Sequence, residues 1–351
     1  MKIIMNKNIT QWENIVCDKT ERDCTPIYNC LLKKYTEMPN RIVQHTHYLN
    51  GSVCKHPDAN TLHEGLSLYA YRTQQEPHFL HTLVHLCAMK GNIPIGQHFT
   101  FKPKPPPTFG EKLQWKMVKK NQPSVTRWRA EDPRLVVHDN QFYMVFTDGW
   151  KIGYVRLDVE MDAKLGLTKC DFMDVIYPPS PKVLVGRYHD GREKNWSPMS
   201  YEGDLWVLYS SQPLVFYRLK DGKTATMDTA IFDSWKYGTI KGGTPLVQMD
   251  NGDYLTIFHS TIKLAGGNTV YTGGALVLDK QLVPKRISRY PLIAPCIEKD
   301  EFSYLKSTWV IFPAGIIRED NVWKVSCGVN DHTTSLLHIT DEMLEQNLTF
   351  W

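Results

Sequence analysis

Five times along the chain, a turn of Gly, Asp or Asn leads into an aromatic-rich apolar run of about six residues, which ends in a small polar tail. The segments are GLSLYAYRT from Gly65, DNQFYMVFTDG from Asp139, GDLWVLYSSQP from Gly203, NGDYLTIFHST from Asn251 and DNVWKVSCGVND from Asp320. Short runs of β-branched and aromatic residues bounded by turn formers predict β-strands. Helical periodicity is confined to Thr25 to Glu37 and Asp341 to Asn347. With Tyr71, Phe146, Tyr209, Phe258 and Cys327 as equivalents, the spacings are 75, 63, 49 and 69 residues. A propeller blade of four strands takes about 40 to 50 residues plus its loops. The pattern therefore predicts an all-β fold: a five-bladed β-propeller over residues 46–351, preceded by a short, partly helical extension over residues 1–45. A β-sandwich would alternate as well, but it gives no reason for five similar units. The KPKPPP run, Lys102 to Pro107, cannot join a central strand and reads as a loop between blades.

Composition narrows the function. Of 351 residues, 42% are hydrophobic and 22% charged, ordinary for a globular chain. A net charge of +4 is too small to argue for nucleic acid or an anionic membrane surface. No stretch approaches the roughly 20 apolar residues of a membrane span, and the N-terminal apolar stretch is too short for a secretory signal. Eight cysteines without a CxxC pair argue against a disulfide framework or a zinc site. Free thiols in a reducing, cytoplasmic compartment are expected. No Asp-x-Asp pattern stands near the polar motifs, so neither a catalytic metal nor a cofactor is expected.

In a propeller the innermost strands converge on one axis, so polar groups at equivalent strand ends meet although far apart in sequence. Candidates are RAEDPR (129–134), REKNWSP (192–198), GGTP (242–245), FHS (258–260), VIFPAG (310–315) and GVNDH (328–332). RAEDPR reads either as a plain turn capped by Asp132 or as a carboxylate on a rigid proline turn, faced by arginines 127, 129 and 134. The second arrangement suits a proton donor or a partner for an oxocarbenium ion. In EKNWSP, Lys194 and Asn195 suit phosphate or sugar hydroxyls and Trp196 suits stacking on a sugar; the alternative is a solvated turn with a core tryptophan. GGTP allows close backbone approach and presents N–H groups to a ligand, or makes a plain loop. His259 is either a satisfied core histidine or a ligand contact, and Asp331 and His332 either a polar loop or part of the site.

EDPR before an aromatic strand, then EKNWSP, GGTPLV, YLTIFHS, YTGGALVLD, VIFPAGI and VSCGVND, follow the order seen in glycoside hydrolase family 130, which the chain resembles over residues 48–351. Asn50-Gly51-Ser52 and Tyr71-Arg72 look like its first blade. Related enzymes form glycosyltransferase family 108. The resemblance implies a five-bladed propeller that transfers β-mannosyl units with inversion, between a sugar-phosphate or nucleotide-sugar donor and a glycan acceptor, or runs the reverse phosphorolysis. It implies that Asp132 is the catalytic acid, acting in phosphorylases through a substrate hydroxyl. Lys194 falls on a phosphate contact, His259 and Tyr271 on site positions, and Asp331 on an aspartate that holds sugar hydroxyls. Arg72, Glu131, Arg134, Glu193, Asn195, Thr244 and His332 complete the expected substrate-binding set. Two departures stand out. Tyr209-Ser210-Ser211 occupies the place of a His-Arg pair, which weakens the case for inorganic phosphate. Glu193-Lys194-Asn195 replaces Asn-Lys-Asp and adds a carboxylate able to act as a base. Inverting hydrolysis, with Glu193 activating water, and a non-catalytic carbohydrate-binding propeller are the alternatives.

Overall fold

The computed structural model describes residues 3–5, 42–46, 49–57, 65–74, 82–103, 130–149, 151–179, 193–263, 269–295, 308–319, 321–329 and 333–350. The helix expected over Thr25 to Glu37 and most of the KPKPPP run lie outside them. Strands β1 (Ile3–Met5) and β2 (Ile42–Thr46) come first and join sheets completed much later in the chain. Next come β3 (Leu49–Lys55), β4 (Leu66–Gln74), β5 (Thr82–Lys90), β6 (Ile93–Phe101), β7 (Glu131–His138), β8 (Gln141–Thr147), β9 (Ile152–Asp162) and β10 (Gly166–Phe172). They form one sheet in the order β3-β4-β5-β6-β10-β9-β8-β7, two antiparallel meanders joined where β6 meets β10.

A separate four-stranded meander holds β11 (Ser197–Tyr201), β12 (Asp204–Ser211), β13 (Leu214–Arg218) and β14 (Thr224–Met227). The largest sheet contains β15 (Thr239–Lys241), β16 (Val247–Gln248), β17 (Tyr254–Lys263), β18 (Thr269–Leu278), β19 (Pro284–Ser288), β20 (Ile293–Pro295) and β21 (Thr308–Trp309), with β1 laid on β20. In the last sheet β22 (Ile311–Glu319), β23 (Val322–Val329) and β24 (Thr333–Thr340) run as a meander, and β2 pairs with β24. The helix read from the sequence is present as α1 (Asp341–Asn347), with the Thr340 hydroxyl accepting from the Met343 N–H as its cap. β25 (Leu348–Phe350) returns to pair with β19.

The five aromatic runs are the second strands of these units: β4, β8, β12, β17 and β23. Four of them carry apolar side chains on both faces. Leu66, Leu68 and Ala70 of β4 pack with Phe142, Met144 and Phe146 of β8, while Tyr69 and Tyr71 pack with Ile317 and Leu336 of the last sheet. Leu205, Val207 and Tyr209 of β12 meet Val136 and Val145, and its Trp206 and Leu208 meet Phe258. Leu255 and Ile257 of β17 meet Trp323 and Val325 of β23. Sheets stacked face to face in this way explain why the strands read as nearly continuous apolar runs. The seams also close a circuit, because the first and last units share one of them. At its middle lies a cavity of about 380 Å³, lined by Cys54, Leu135, Ser200, Leu246 and Ile316 among others, a stretch from each unit.

Trp323 fills the seam between β17 and β23, fully buried, and its indole N–H donates to Asp341 of α1 at 2.7 Å. Trp323→Ala empties that volume and frees the helix. It is expected to cost about 3–5 kcal/mol, measured as a lowered urea midpoint.

Candidate active site

EDPR is already strand, not the turn expected from the sequence, and its pairing with β8 slips between Glu131 and Arg134. Pro133 has no N–H for the ladder, and Asp132 adopts a φ of 51°, so one extra residue bulges out of β7. A bulge of this kind re-aims a side chain, and Asp132 is the residue it re-aims. Asn50 of β3 (φ 46°) and Asn195 (φ 64°), which precedes β11, share the left-handed conformation. Such backbone persists only where its surroundings hold it.

Asn50 Nδ2 donates to Asp132 Oδ1 at 2.7 Å, and Arg72 of β4 places Nη1 at 3.7 Å from both Asp132 Oδ1 and Glu131 Oε2. Burial by itself pushes the Asp132 carboxyl up. Arg72, Arg134, the Asn50 amide and Lys194 outweigh it and hold the carboxyl below its ordinary value. Arg134 is buried, donates from Nε to the Gly243 carbonyl at 2.6 Å and from Nη1 to the Asp132 carbonyl at 3.3 Å, and lies 5.1 Å over the Phe312 ring. Burial brings it down to about 10, with Asp132 opposing, so it remains a cation at neutral pH.

His259 of β17 is 1% exposed and stacks on Tyr271 of β18, ring centroids 5.7 Å apart, with Phe312 at 5.0 Å on a tilted plane. Burial first, then Lys241 and Arg134, lower it to about 3, so its imidazole is neutral. Among the described residues its Nδ1 has no hydrogen-bond partner. The sequence motifs thus bring Arg72, Glu131, Asp132, Arg134, Lys194, His259 and Tyr271 into one neighbourhood, with the charges of Arg72, Arg134 and Lys194 acting on Asp132.

Other candidates sit differently. Glu193 is half-buried, accepts from the Tyr209 hydroxyl at 3.1 Å, and is raised by burial against the opposing effects of Tyr209 and Trp196. Trp196 is buried against Tyr209 and Tyr217 at 5.1 and 5.6 Å and offers no face to a sugar. Thr244 is buried, and its hydroxyl is committed: it donates to the Pro245 carbonyl and accepts from the Ile257 N–H. The glycines of GGTP serve chain-to-chain contact. A Cβ on Gly242 would stand 2.0 Å from the Asn195 carbonyl and one on Gly243 2.0 Å from the Ile257 carbonyl. The Gly243 N–H goes to Ser197 Oγ at 2.9 Å rather than to a ligand. Asp331, His332 and arginines 127 and 129 lie outside the described residues.

Sequence reasoning placed Asn50 only in the first blade and missed its contact with Asp132; Phe312 lay within the VIFPAG candidate, with no role given to its ring. An Asn directly before Gly51 signals a left-handed turn, the one local clue to Asn50. Among the described residues no group of three or more His, Cys, Asp or Glu could hold a metal ion, and no helix is long and apolar enough to cross a membrane. The described cysteines 54, 87, 170 and 327 are free thiols.

The sequence profile of glycoside hydrolase family 130, described as β-1,4-mannooligosaccharide phosphorylase, matches residues 108–347. No curated protein matches in sequence. Among solved structures, the chain is similar to a β-1,2-mannobiose phosphorylase of Listeria innocua, with 12% identity, 99% of each chain covered and a TM-score of 0.52. It is also similar to two Leishmania mexicana proteins, each 15% identical with a TM-score of 0.50. One is a mannose phosphorylase in complex with phosphate, with 87% of both chains covered. The other is a GDP-mannose-dependent mannosyltransferase, with 84% of this chain and 85% of that one covered. At such identities these likenesses establish the fold.

The buried imidazole has a measurable consequence. An unfolded histidine takes its proton near 6.5, whereas His259 in the folded chain takes one only near about 3. Between those values the unfolded chain binds more protons, so stability falls as pH falls through that window. The depressed Asp132 carboxyl acts in the same direction at its acid end. His259→Gln is expected to flatten the curve, read from urea midpoints taken between about pH 7 and pH 4.

Proposed function

The chain belongs to glycoside hydrolase family 130, and from that membership we propose the following division of labour for an enzyme of the glycoside phosphorylase and mannosyl-transfer type. It transfers β-mannosyl units with inversion between a phosphorylated sugar donor and a glycan acceptor, or runs the reverse phosphorolysis. The five stacked units are the blades of a β-propeller spanning residues 46–351. Residues 1–45 lead into that catalytic body, with β1 and β2 laid into its sheets. The observation that carries the reading is the Asp132 carboxylate, aimed by a bulge and ringed by Arg72, Arg134 and Lys194.

Asp132 protonates the oxygen of the glycosidic bond, directly or through a substrate hydroxyl. The attacking group approaches from the opposite face of the sugar, which inverts the anomeric centre. Lys194 and Arg72 meet the anionic leaving or attacking group, for which charge-assisted hydrogen bonds are the strong contacts. Neutral His259, buried against Tyr271 and Phe312, backs these rings without adding charge to the site.

A carboxyl held below its ordinary value is a poor acid at neutral pH unless its cations are drawn elsewhere. An anionic substrate does that: once phosphate oxygens engage Lys194 and Arg72, the Asp132 carboxylate loses stabilisation and takes up a proton. Occupancy and protonation therefore favour one another.

Incubation with mannose 1-phosphate, with GDP-mannose, and with β-mannooligosaccharides plus phosphate is expected to give product from at least one; no product from any of them overturns the reading. Asp132→Asn is expected to lower kcat by about 10²–10⁴-fold. Both kcat and kcat/KM should fall as pH rises past the carboxyl's titration. The limb in kcat/KM, which reports the free enzyme, should lie at lower pH than the limb in kcat.

A further inference from the structure

Among the described residues, both contacts made to the Asp132 carboxylate use the same oxygen. Asn50 Nδ2 donates to Oδ1 at 2.7 Å, and Arg72 Nη1 stands 3.7 Å from Oδ1. Among the described residues nothing donates to Oδ2. A proton on Oδ1 would set an O–H against the Asn50 N–H, donor against donor, whereas a proton on Oδ2 leaves both contacts intact. The carboxyl is thereby made asymmetric: one oxygen held as an acceptor, the other left to carry hydrogen.

Asn50 is itself held from the far side. It is 4% exposed at a φ of 46°, and its Oδ1 lies so close to Gly328 of β23 that a Cβ there would stand 1.9 Å away. The next residue, Gly51, gives its N–H to Thr334 Oγ1 of β24 at 3.1 Å. The last sheet thus presses Asn50 of the first unit against Asp132 of the second. We infer that Asn50 is the positioning residue for the acid: it fixes Asp132 so that Oδ2, and not Oδ1, bears the transferred proton, and Gly328 is glycine because Asn50 needs its space. This rests on the reading of Asp132 as proton donor, and it concerns a residue that the motif resemblance gives no part in acid catalysis.

Asn50→Gly is the direct test, because glycine takes a positive φ without strain and only the amide is lost. Asn50→Asp keeps the shape and puts an acceptor where the donor was. In protein carrying ¹³C at the aspartate carboxyls, the Asp132 signal is assigned by its absence from Asp132→Asn and followed through a pH titration. Asn50 stabilises the charged form, so its removal is expected to move the Asp132 midpoint upward by about one pH unit, a tenfold change in proton affinity. Asn50→Asp should move it at least as far. With whichever mannosyl substrate the wild type turns over, kcat should fall about tenfold or more in Asn50→Gly while KM stays within about twofold, the mark of an interaction made in the transition state. A merely structural asparagine would leave the midpoint in place. A midpoint and a kcat unchanged in Asn50→Gly overturn the inference. A shifted midpoint in a protein that transfers no mannosyl group sustains the Asn50–Asp132 coupling and overturns the enzymatic reading instead.

Discussion

A guanidinium enclosed by protein must have its charge and its N–H groups answered there, because the cost of stripping its water is several kcal/mol. Arg134 meets most of that condition by drawing on three units at once: the Gly243 carbonyl from one, the Phe312 ring from another, and the backbone and charge of Asp132 from its own strand; its buried Nη2 has no partner among the described residues. Much of the site follows from it. Gly243 has no side chain because its carbonyl must reach Arg134 while the chain passes hard against Ile257. Phe312 presents its face rather than its edge. His259, wedged against the same ring and beside that cation, stays neutral. A lysine in this place would give neither the planar stack nor the fork of donors.

The aromatic second strands were readable because each is a local event: a turn, a run of apolar side chains, a polar tail. The terminal helix was readable for the same reason, with Thr340 as its cap and acidic residues in its first turn. Motifs that meet across the centre were readable only as a set, through their order along the chain. What escaped was whatever depends on an exact partner. EDPR looked like a turn because Pro and Asp make turns; that it bulges within a strand is decided by β8, which offers one residue fewer between Thr147 and Val145. GGTP looked like a ligand cradle, yet its close approaches are to other backbone. Asn50 has no chemistry in its own neighbourhood, and its importance comes from residues 82 and 278 positions away.

The two departures from the family pattern touch each other. Tyr209 stands where a His-Arg pair was expected and donates to Glu193, which stands where an asparagine was expected. Ser211, beside it, ties β12 to the Ile240 carbonyl at 2.7 Å. A phenol and a carboxylate that satisfy one another keep net negative charge at that edge, unlike an arginine. The edge is better suited to hydroxyl-bearing groups than to a second anion, which agrees with a site whose cations are concentrated around Asp132.

The pairing of β2 with β24 joins residues 42–46 to residues 333–340. During synthesis the early strand waits, with an unpaired edge, until residues 333–340 have left the ribosome. The ring can shut only at that moment, by closing a loop whose entropic penalty grows merely with the logarithm of its length. Until then the last sheet lacks an outer strand, and a foreign strand meets an open ladder there. Completion of the circle is thus also the step that protects a nascent chain from its neighbours.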